Sequence, residues 1–263
     1  MDKQFTILAI GDIVGKPGRS IVRDGLATLR ERYGADFVIA NGENASGGNA
    51  ITPAAVGELL SLGIDVITTG NHVWDNKEIE KVIDSEPRFL RPDNYPLGVA
   101  GRGYGIFESR EGAKKVCVVN LMGRVHMAPL DCPFRGFDRI FLDVAGKADI
   151  LIVDFHAEAT SEKRAFGWYV DGRASAVFGT HTHVQTADEE ILPGGTGYIT
   201  DIGMSGSFNS VIGMDTGKSV QRFLRLTRVK YDVATGNEKL NGVVFRFSDG
   251  GRTAAVERIL LEK

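Results

Sequence analysis

Val177-Phe178-Gly179-Thr180-His181-Thr182-His183-Val184 begins as an apolar, strand-like run and ends in two histidines one residue apart. Successive side chains of a strand alternate between faces, so the spacing predicts His181 and His183 on the same face. Two imidazoles converging in this way can hold a metal. As packing alone, each would need its own hydrogen-bond partner, because burying an unpaired polar group is costly. The stretch therefore predicts a buried strand that presents ligands at its end.

The chain before it repeats that plan. Phe5–Ile10 is a short apolar run that stops at Gly11-Asp12-Ile13-Val14-Gly15-Lys16-Pro17-Gly18-Arg19, and residues 20–32 then show helical spacing. Residues 36–40 read as a buried strand running into Asn41-Gly42-Glu43-Asn44, with a helix over 53–62. Residues 64–69 form a third such strand, before Gly70-Asn71-His72-Val73-Trp74-Asp75 and a helix over 76–83. Three strand-loop-helix units in succession predict a largely parallel or mixed sheet with helical cover.

Residues 87–112 are rich in Pro and Gly and read as loops and a hairpin. Strand patterns resume at 115–121, at 150–155 before His156-Ala157-Glu158, at 174–184, and at 197–204. Residues 223–229 and 242–247 alternate as antiparallel strands do, with a turn at 234–237. A helix-flanked first half joined to a strand-rich second half predicts an α/β fold with two mixed β-sheets packed as a sandwich and flanking helices. No domain boundary is visible, so residues 1–263 are expected to form a single domain.

Composition narrows the function. The 43% hydrophobic and 25% charged content is that of an ordinary globular protein of 263 residues. With 31 basic against 34 acidic residues the formal charge is −3, so no global field advertises nucleic acid or an anionic membrane, and any phosphate binding is local. The N-terminal apolar run is too short for a signal peptide or a membrane span, which predicts a cytoplasmic protein. Cys117 and Cys132 are expected as free thiols.

Five apparent strands end in polar, metal-competent residues: Asp12; Glu43 with Asn44; Asn71 with His72; His156; and His181 with His183. In open α/β sheets ligands bind beyond the carboxyl ends of strands. Four of the five histidines lie at such ends, and His126 is the outsider, read as structural. A set of imidazole, carboxylate and amide oxygen without cysteine suits manganese, iron or catalytic zinc rather than structural zinc. So many groups point to two ions, about 3.5–4 Å apart, sharing a carboxylate and clamping a phosphoryl group. Glu43 is the natural bridge.

The pattern Gly11-Asp12, Gly42-Glu43-Asn44, Gly70-Asn71-His72, His156 and Gly179-Thr180-His181-Thr182-His183 resembles the calcineurin-like metallophosphoesterases. It is similar in particular to their bacterial YmdB branch of 2',3'-cyclic-nucleotide 2'-phosphodiesterases. Unlike most of the superfamily, the chain has no Asp-x-His near its start, and glutamate stands where aspartate usually bridges; the branch shares both departures. The resemblance implies Asp12, Glu43, Asn44 and His183 on one metal and Glu43, Asn71, His156 and His181 on the other. It leaves His72 near the scissile phosphate, as general acid or charge stabiliser. The oxygen-rich first site favours iron or manganese over zinc.

The implied activity is hydrolysis of 2',3'-cyclic nucleotides to 3'-nucleotides by metal-bridging hydroxide. The partners would be a nucleotide or phosphodiester, with RNA ends as a further substrate; no membrane is involved and an oligomer is compatible. The rival readings are a phosphomonoesterase or RNA-directed nuclease with the same metals, and a regulatory metal-binding protein with little turnover. A P-loop at Gly11–Lys16 fails on spacing, and Pro17 stands where Ser or Thr should be. Lys16 and Arg19, near a helix N-terminus, could attract a phosphate or form a solvated loop. Trp74 could stack on a base or simply pack. Asp154, Glu158 and Asp201 are candidates for orienting histidine ring nitrogens.

Overall fold

A computed structural model of the chain describes residues 4–110, 112–227 and 229–262. Its elements, in chain order, are β1 (Phe5–Ile10), β2 (Asp12–Ile13), α1 (Gly15–Tyr33), β3 (Phe37–Asn41), α2 (Pro53–Ser61), β4 (Val66–Thr68), β5 (Tyr104–Glu108), β6 (Lys115–Met122) and α3 (Pro133–Val144). They continue with β7 (Ile150–His156), α4 (Thr160–Val170), β8 (Ala176–Thr180), β9 (Glu190–Ile191), β10 (Gly197–Ile199), β11 (Met204–Ser207), α5 (Thr216–Arg225), β12 (Glu238–Phe247) and β13 (Thr253–Glu262).

The first sheet runs β2-β11-β12-β1-β3-β4, with β13 also paired to β12; the second runs β5-β6-β7-β8-β10-β9. Both are mixed: β1, β3 and β4 are mutually parallel but β12 is antiparallel to β1, whereas β6, β7, β8 and β10 are parallel and flanked by antiparallel β5 and β9. Strand alternation sorts the apolar side chains into layers. Ile7, Phe37, Ile39 and Val66 of the first sheet meet Val118, Ile152 and Phe178 of the second in the seam between them. Leu8, Val38 and Ile67 face the opposite way, under α1 and α2, while Val119, Val153 and Val177 face α3 and α4. The result is the expected sandwich of two mixed sheets with helices on both outer faces. Each buried Ile, Leu or Phe contributes about 1.5–3 kcal/mol, so burial in these three clusters dominates the stabilisation.

The inward-facing positions change character at one end of the seam. Asn41 is in phase with Phe37 and Ile39, Thr68 with Val66, Asn120 with Val116 and Val118, Asp154 with Ile150 and Ile152, and Thr180 with Ala176 and Phe178. All five are fully buried. The parallel strands thus stop being apolar just before their carboxyl ends, and the loops beyond carry the metal-competent residues.

Several expectations are corrected. β8 ends at Thr180, so His181 and His183 are not strand residues sharing a face; both have positive φ, 103° and 64°, in the turn that follows. Residues 216–225 form α5 rather than a strand beginning at 223, because the Asp215 side chain caps the helix by accepting from Lys218 N, and Leu226 closes it in the left-handed conformation. Arg228, within that expected strand, lies outside the described residues. The run 197–204 divides between β10 and β11, which belong to different sheets. The helix expected over 76–83 is a short 3-10 turn at Lys77–Lys81. Helix α1 starts earlier than its spacing suggested, at Gly15, so Lys16 lies in its first turn.

Candidate metal centre

Glu43 sits two residues past the end of β3 and is completely buried. Its Oε1 is 3.2 Å from His156 Nε2, and its Oε2 accepts a hydrogen bond from the His72 backbone at 3.0 Å. His156, the last residue of β7, also has its Nε2 2.9 Å from Asn71 Oδ1 and 3.1 Å from His181 Nδ1. Ligand atoms of Glu43, His156 and His181 all lie within 4.8 Å of one another. Four donors, three from separate loops and His156 from the end of β7, therefore converge on one point, a spacing suited to a cation.

A second group adjoins it. His183 Nε2 is 3.2 Å from Asn44 Nδ2 and 3.7 Å from Asp12 Oδ1. Asp12 Oδ1 and Asn44 Oδ1 are both buried with no hydrogen-bond partner among the described residues. Orphaned buried oxygens are costly unless something electropositive meets them. A half-turn of the Asn44 amide exchanges its two ends and turns oxygen toward His183. The donor set fits a hard cation.

The electrostatics point the same way. Burial pushes the Asp12 carboxyl up. Burial also pushes Glu43 up, but His156 and the His72 amide outweigh it and hold the carboxyl at about 2. His156 responds in the opposite sense: burial lowers it, and the Glu43 carboxylate raises it to about 9. Burial, and then the charge of His156, push His181 down to about 3, so that it is a neutral imidazole. A ligating histidine must be neutral, so a cation here would take the place of the His156 proton opposite Glu43.

The outward nitrogens of the three histidines are all anchored, which fixes each ring. His156 Nδ1 lies 2.9 Å from Thr180 Oγ1, which in turn donates to Asp154 Oδ1 at 2.6 Å. His181 Nε2 is 3.0 Å from Glu158 Oε2, and His183 Nδ1 donates to the Ile212 carbonyl at 2.8 Å. Of the three candidate carboxylates, Glu158 touches a ring directly and Asp154 acts through Thr180. Asp201 instead accepts from Lys163, Thr182 N and Thr182 Oγ1, holding the turn that carries both histidines. Gly70 is required by closeness: a Cβ there would stand 2.1 Å from His156 Cδ2.

A cavity of about 980 Å³ opens over Glu43, Asn44, His181 and His183, with His72 on its rim. His72 Nδ1 is 2.7 Å from Asp75 Oδ2. Arg19 is engaged by Glu58 at 2.8 Å and by the Ala45 carbonyl. Trp74 packs edge-on against Tyr95 at 6.1 Å. Neither residue, nor exposed Lys16, borders this cavity. His126 is exposed, in the loop after β6. The buried polar residues Asn41, Thr68, Asn120 and Thr180 were not singled out from the sequence. Their signal is a polar residue at the inward phase of an otherwise apolar strand.

The chain matches the model of the family described as YmdB-like protein over residues 8–259. It is 47% identical to the 2',3'-cyclic-nucleotide 2'-phosphodiesterase of Bacillus subtilis (strain 168), covering 97% of this chain and 96% of that one. A hypothetical protein from Thermus thermophilus superposes with a TM-score of 0.92 at 42% identity, covering 98% of this chain and all of that one. A phosphatase from Mycoplasma pneumoniae gives 0.93 at 36%, covering 100% and 95%. Because the family match and these relatives run along nearly the whole length, the chain belongs to the YmdB-like protein family.

Proposed function

We propose that the chain is a cytoplasmic, single-domain dinuclear-metal phosphodiesterase that hydrolyses 2',3'-cyclic nucleotides to 3'-nucleotides. The observation that carries the reading is the pair of donor groups on either side of Glu43, one of them holding two buried oxygens without hydrogen-bond partners among the described residues. The activity named for the Bacillus subtilis relative supports the substrate class. On this reading Asp12, Glu43, Asn44 and His183 hold one ion and Glu43, Asn71, His156 and His181 the other, with iron or manganese preferred by the oxygen-rich first set. When bound, the ions supply Lewis acidity toward the phosphoryl oxygens and a water that ionises near neutral pH.

The chain's own groups do the rest. Glu158, Thr180 and the Ile212 carbonyl fix the histidine rings before substrate arrives. His72, with Nδ1 held by Asp75, is the general acid toward the departing oxygen. One water is consumed: its oxygen bonds to phosphorus and releases a proton, the bond from phosphorus to the 2'-oxygen breaks, and the 2'-oxygen leaves as a hydroxyl with the His72 proton, which the released proton replaces. An RNA end bearing the same cyclic phosphate presents the same reacting atoms. The Mycoplasma pneumoniae neighbour, a phosphatase, makes monoesters the second class to assay.

The test is metal analysis of the purified protein together with a panel of 2',3'-cyclic, 3',5'-cyclic, linear diester and monoester substrates. About two ions per chain and preference for the 2',3'-cyclic compounds are expected. Absence of metal after supplementation, or no hydrolysis of that class, would remove the reading.

A further inference from the structure

The cavity over the metal cluster has a second wall, distant in sequence from every candidate ligand. It is formed by the start and end of the excursion between β11 and β12: Ile212 and Met214 on one side, Arg222 and Phe223 of α5, and Lys230 with Tyr231. Its character differs from that of the floor. Phe223 is 74% exposed and Ile212 50%, although nothing about α5 requires large apolar groups in water. The Arg222 guanidinium lies over the Tyr231 ring at 4.9 Å, and among the described residues it has no carboxylate partner. Ser219, also on α5 and bordering the cavity, is 2% exposed, and its Oγ has no hydrogen-bond partner among the described residues.

These groups share a chemical logic. Two aromatic rings border one cavity, one of them beneath a guanidinium with no carboxylate partner among the described residues, and such groups suit a flat π-system. The wall shares one cavity with Glu43, Asn44, His181 and His183, so a ligand whose phosphate reaches the cluster has its remaining body against this wall. The two parts are also tied mechanically: His183 donates to the Ile212 carbonyl, and the wall packs on the Gly47–Gly48 turn, where a Cβ on Gly48 would stand 2.9 Å from Met214 Sδ.

We infer that Phe223, Tyr231 and Arg222 form the nucleobase subsite, with Ser219 beside it, and that the base stacks on the Phe223 and Tyr231 rings. This rests on the nucleotide-hydrolase reading above. Stacking uses the π-face that every base has, so all four bases are accepted, and the larger purines are favoured over pyrimidines. Trp74, the aromatic residue singled out in the sequence, packs against Tyr95 instead.

The experiment compares adenosine 2',3'-cyclic phosphate with methyl riboside 2',3'-cyclic phosphate, which has the same reacting group and no base. In Phe223→Ala and Tyr231→Ala, the ratio of kcat/KM for the nucleotide to that for the riboside should fall about 10- to 100-fold, through KM rather than kcat. Tyr231→Phe should restore most of the ratio. Phe223 is largely in water, so its replacement tests the subsite without loading the core. An unchanged ratio in both alanine variants would overturn the subsite, as would an equal loss on both substrates.

A binding arm separates this from the reaction assignment. Calorimetric titration of metal-loaded protein with adenosine 3'-monophosphate should show affinity weakened about 10- to 100-fold by Tyr231→Ala. If wild type hydrolyses neither cyclic compound, the reaction assignment fails and this titration alone decides the subsite: equal affinity in wild type and variant rejects it.

Discussion

Lys163 Nζ lies 2.6 Å from Asp201 Oδ2, with side-chain exposures of 1% and 0%. The same ammonium donates to the Thr180 carbonyl, and the same carboxylate receives the Thr182 amide and hydroxyl, so the pair ties α4 to the turn bearing His181 and His183. Non-glycine residues at positive φ persist only where their surroundings hold them. Removing one partner leaves a buried, uncompensated charge. Lys163→Met is therefore expected to cost about 3–5 kcal/mol in urea unfolding, and Lys163→Met combined with Asp201→Asn should recover part of it. A single-variant loss below about 1 kcal/mol would show that the clasp is dispensable.

Glu43 and His72 should separate cleanly. Glu43→Gln removes the charge between the two donor groups, and both ions and turnover should be lost. A full metal complement in that variant would eliminate Glu43 as the bridge. His72 touches Glu43 through its backbone amide, which alanine retains. His72→Ala should therefore keep its metals while kcat drops about 10²- to 10⁴-fold. Metal loss would make the imidazole a ligand.

Gly70→Ala places a methyl group where the His156 ring stands. Overpacking of this kind typically costs about 1–3 kcal/mol, and here the yielding group is an imidazole of the cluster. Metal content measured on the folded variant should fall along with thermal stability. Wild-type metal content would mean that the loop moves instead of the ring.

Cys117 is buried, and burial pushes its thiol up to about 12, whereas Cys132 is partly exposed. One thiol per native chain should react with Ellman's reagent, and the second only after unfolding. The sign of the pH effect follows from the raised value. The unfolded thiol ionises first, so the stability linked to Cys117 is complete below about 9 and is lost as pH rises toward about 12. Two rapidly reacting thiols in the native protein would contradict this burial.

The two-sheet architecture could be read from sequence because fully buried parallel strands write themselves as continuous apolar runs, and 7–10, 37–40 and 150–153 are such runs. The convergence of Asp12, Glu43, Asn71, His156, His181 and His183 followed from their common place beyond strand ends. The local path at His181 and His183 was not readable. The turn there is held by the Asp201 and Asp12 carboxylates, which accept from Thr182 N and His181 N and lie far from them in the chain. The α5 segment misled because Phe223-Leu224-Arg225-Leu226 mimics strand alternation, while the deciding capping contact sits at Asp215. The cavity wall was invisible because Tyr231 and Phe223 acquire meaning only when the excursion folds back over the cluster.

The inward polar positions at the end of the seam carry one further consequence. Apolar burial is non-directional, so Ile, Val and Phe alone define the alignment of two sheets less sharply than hydrogen bonds between them do. Asn41 and Thr68 of one sheet both reach Asp154 of the other, and such bonds fail outside a narrow range of distance and angle. They set that alignment right beneath the cluster. Volume-conserving changes deep in the seam should therefore soften the protein without moving its ligands, whereas Asp154→Leu should leave the sandwich assembled but out of alignment.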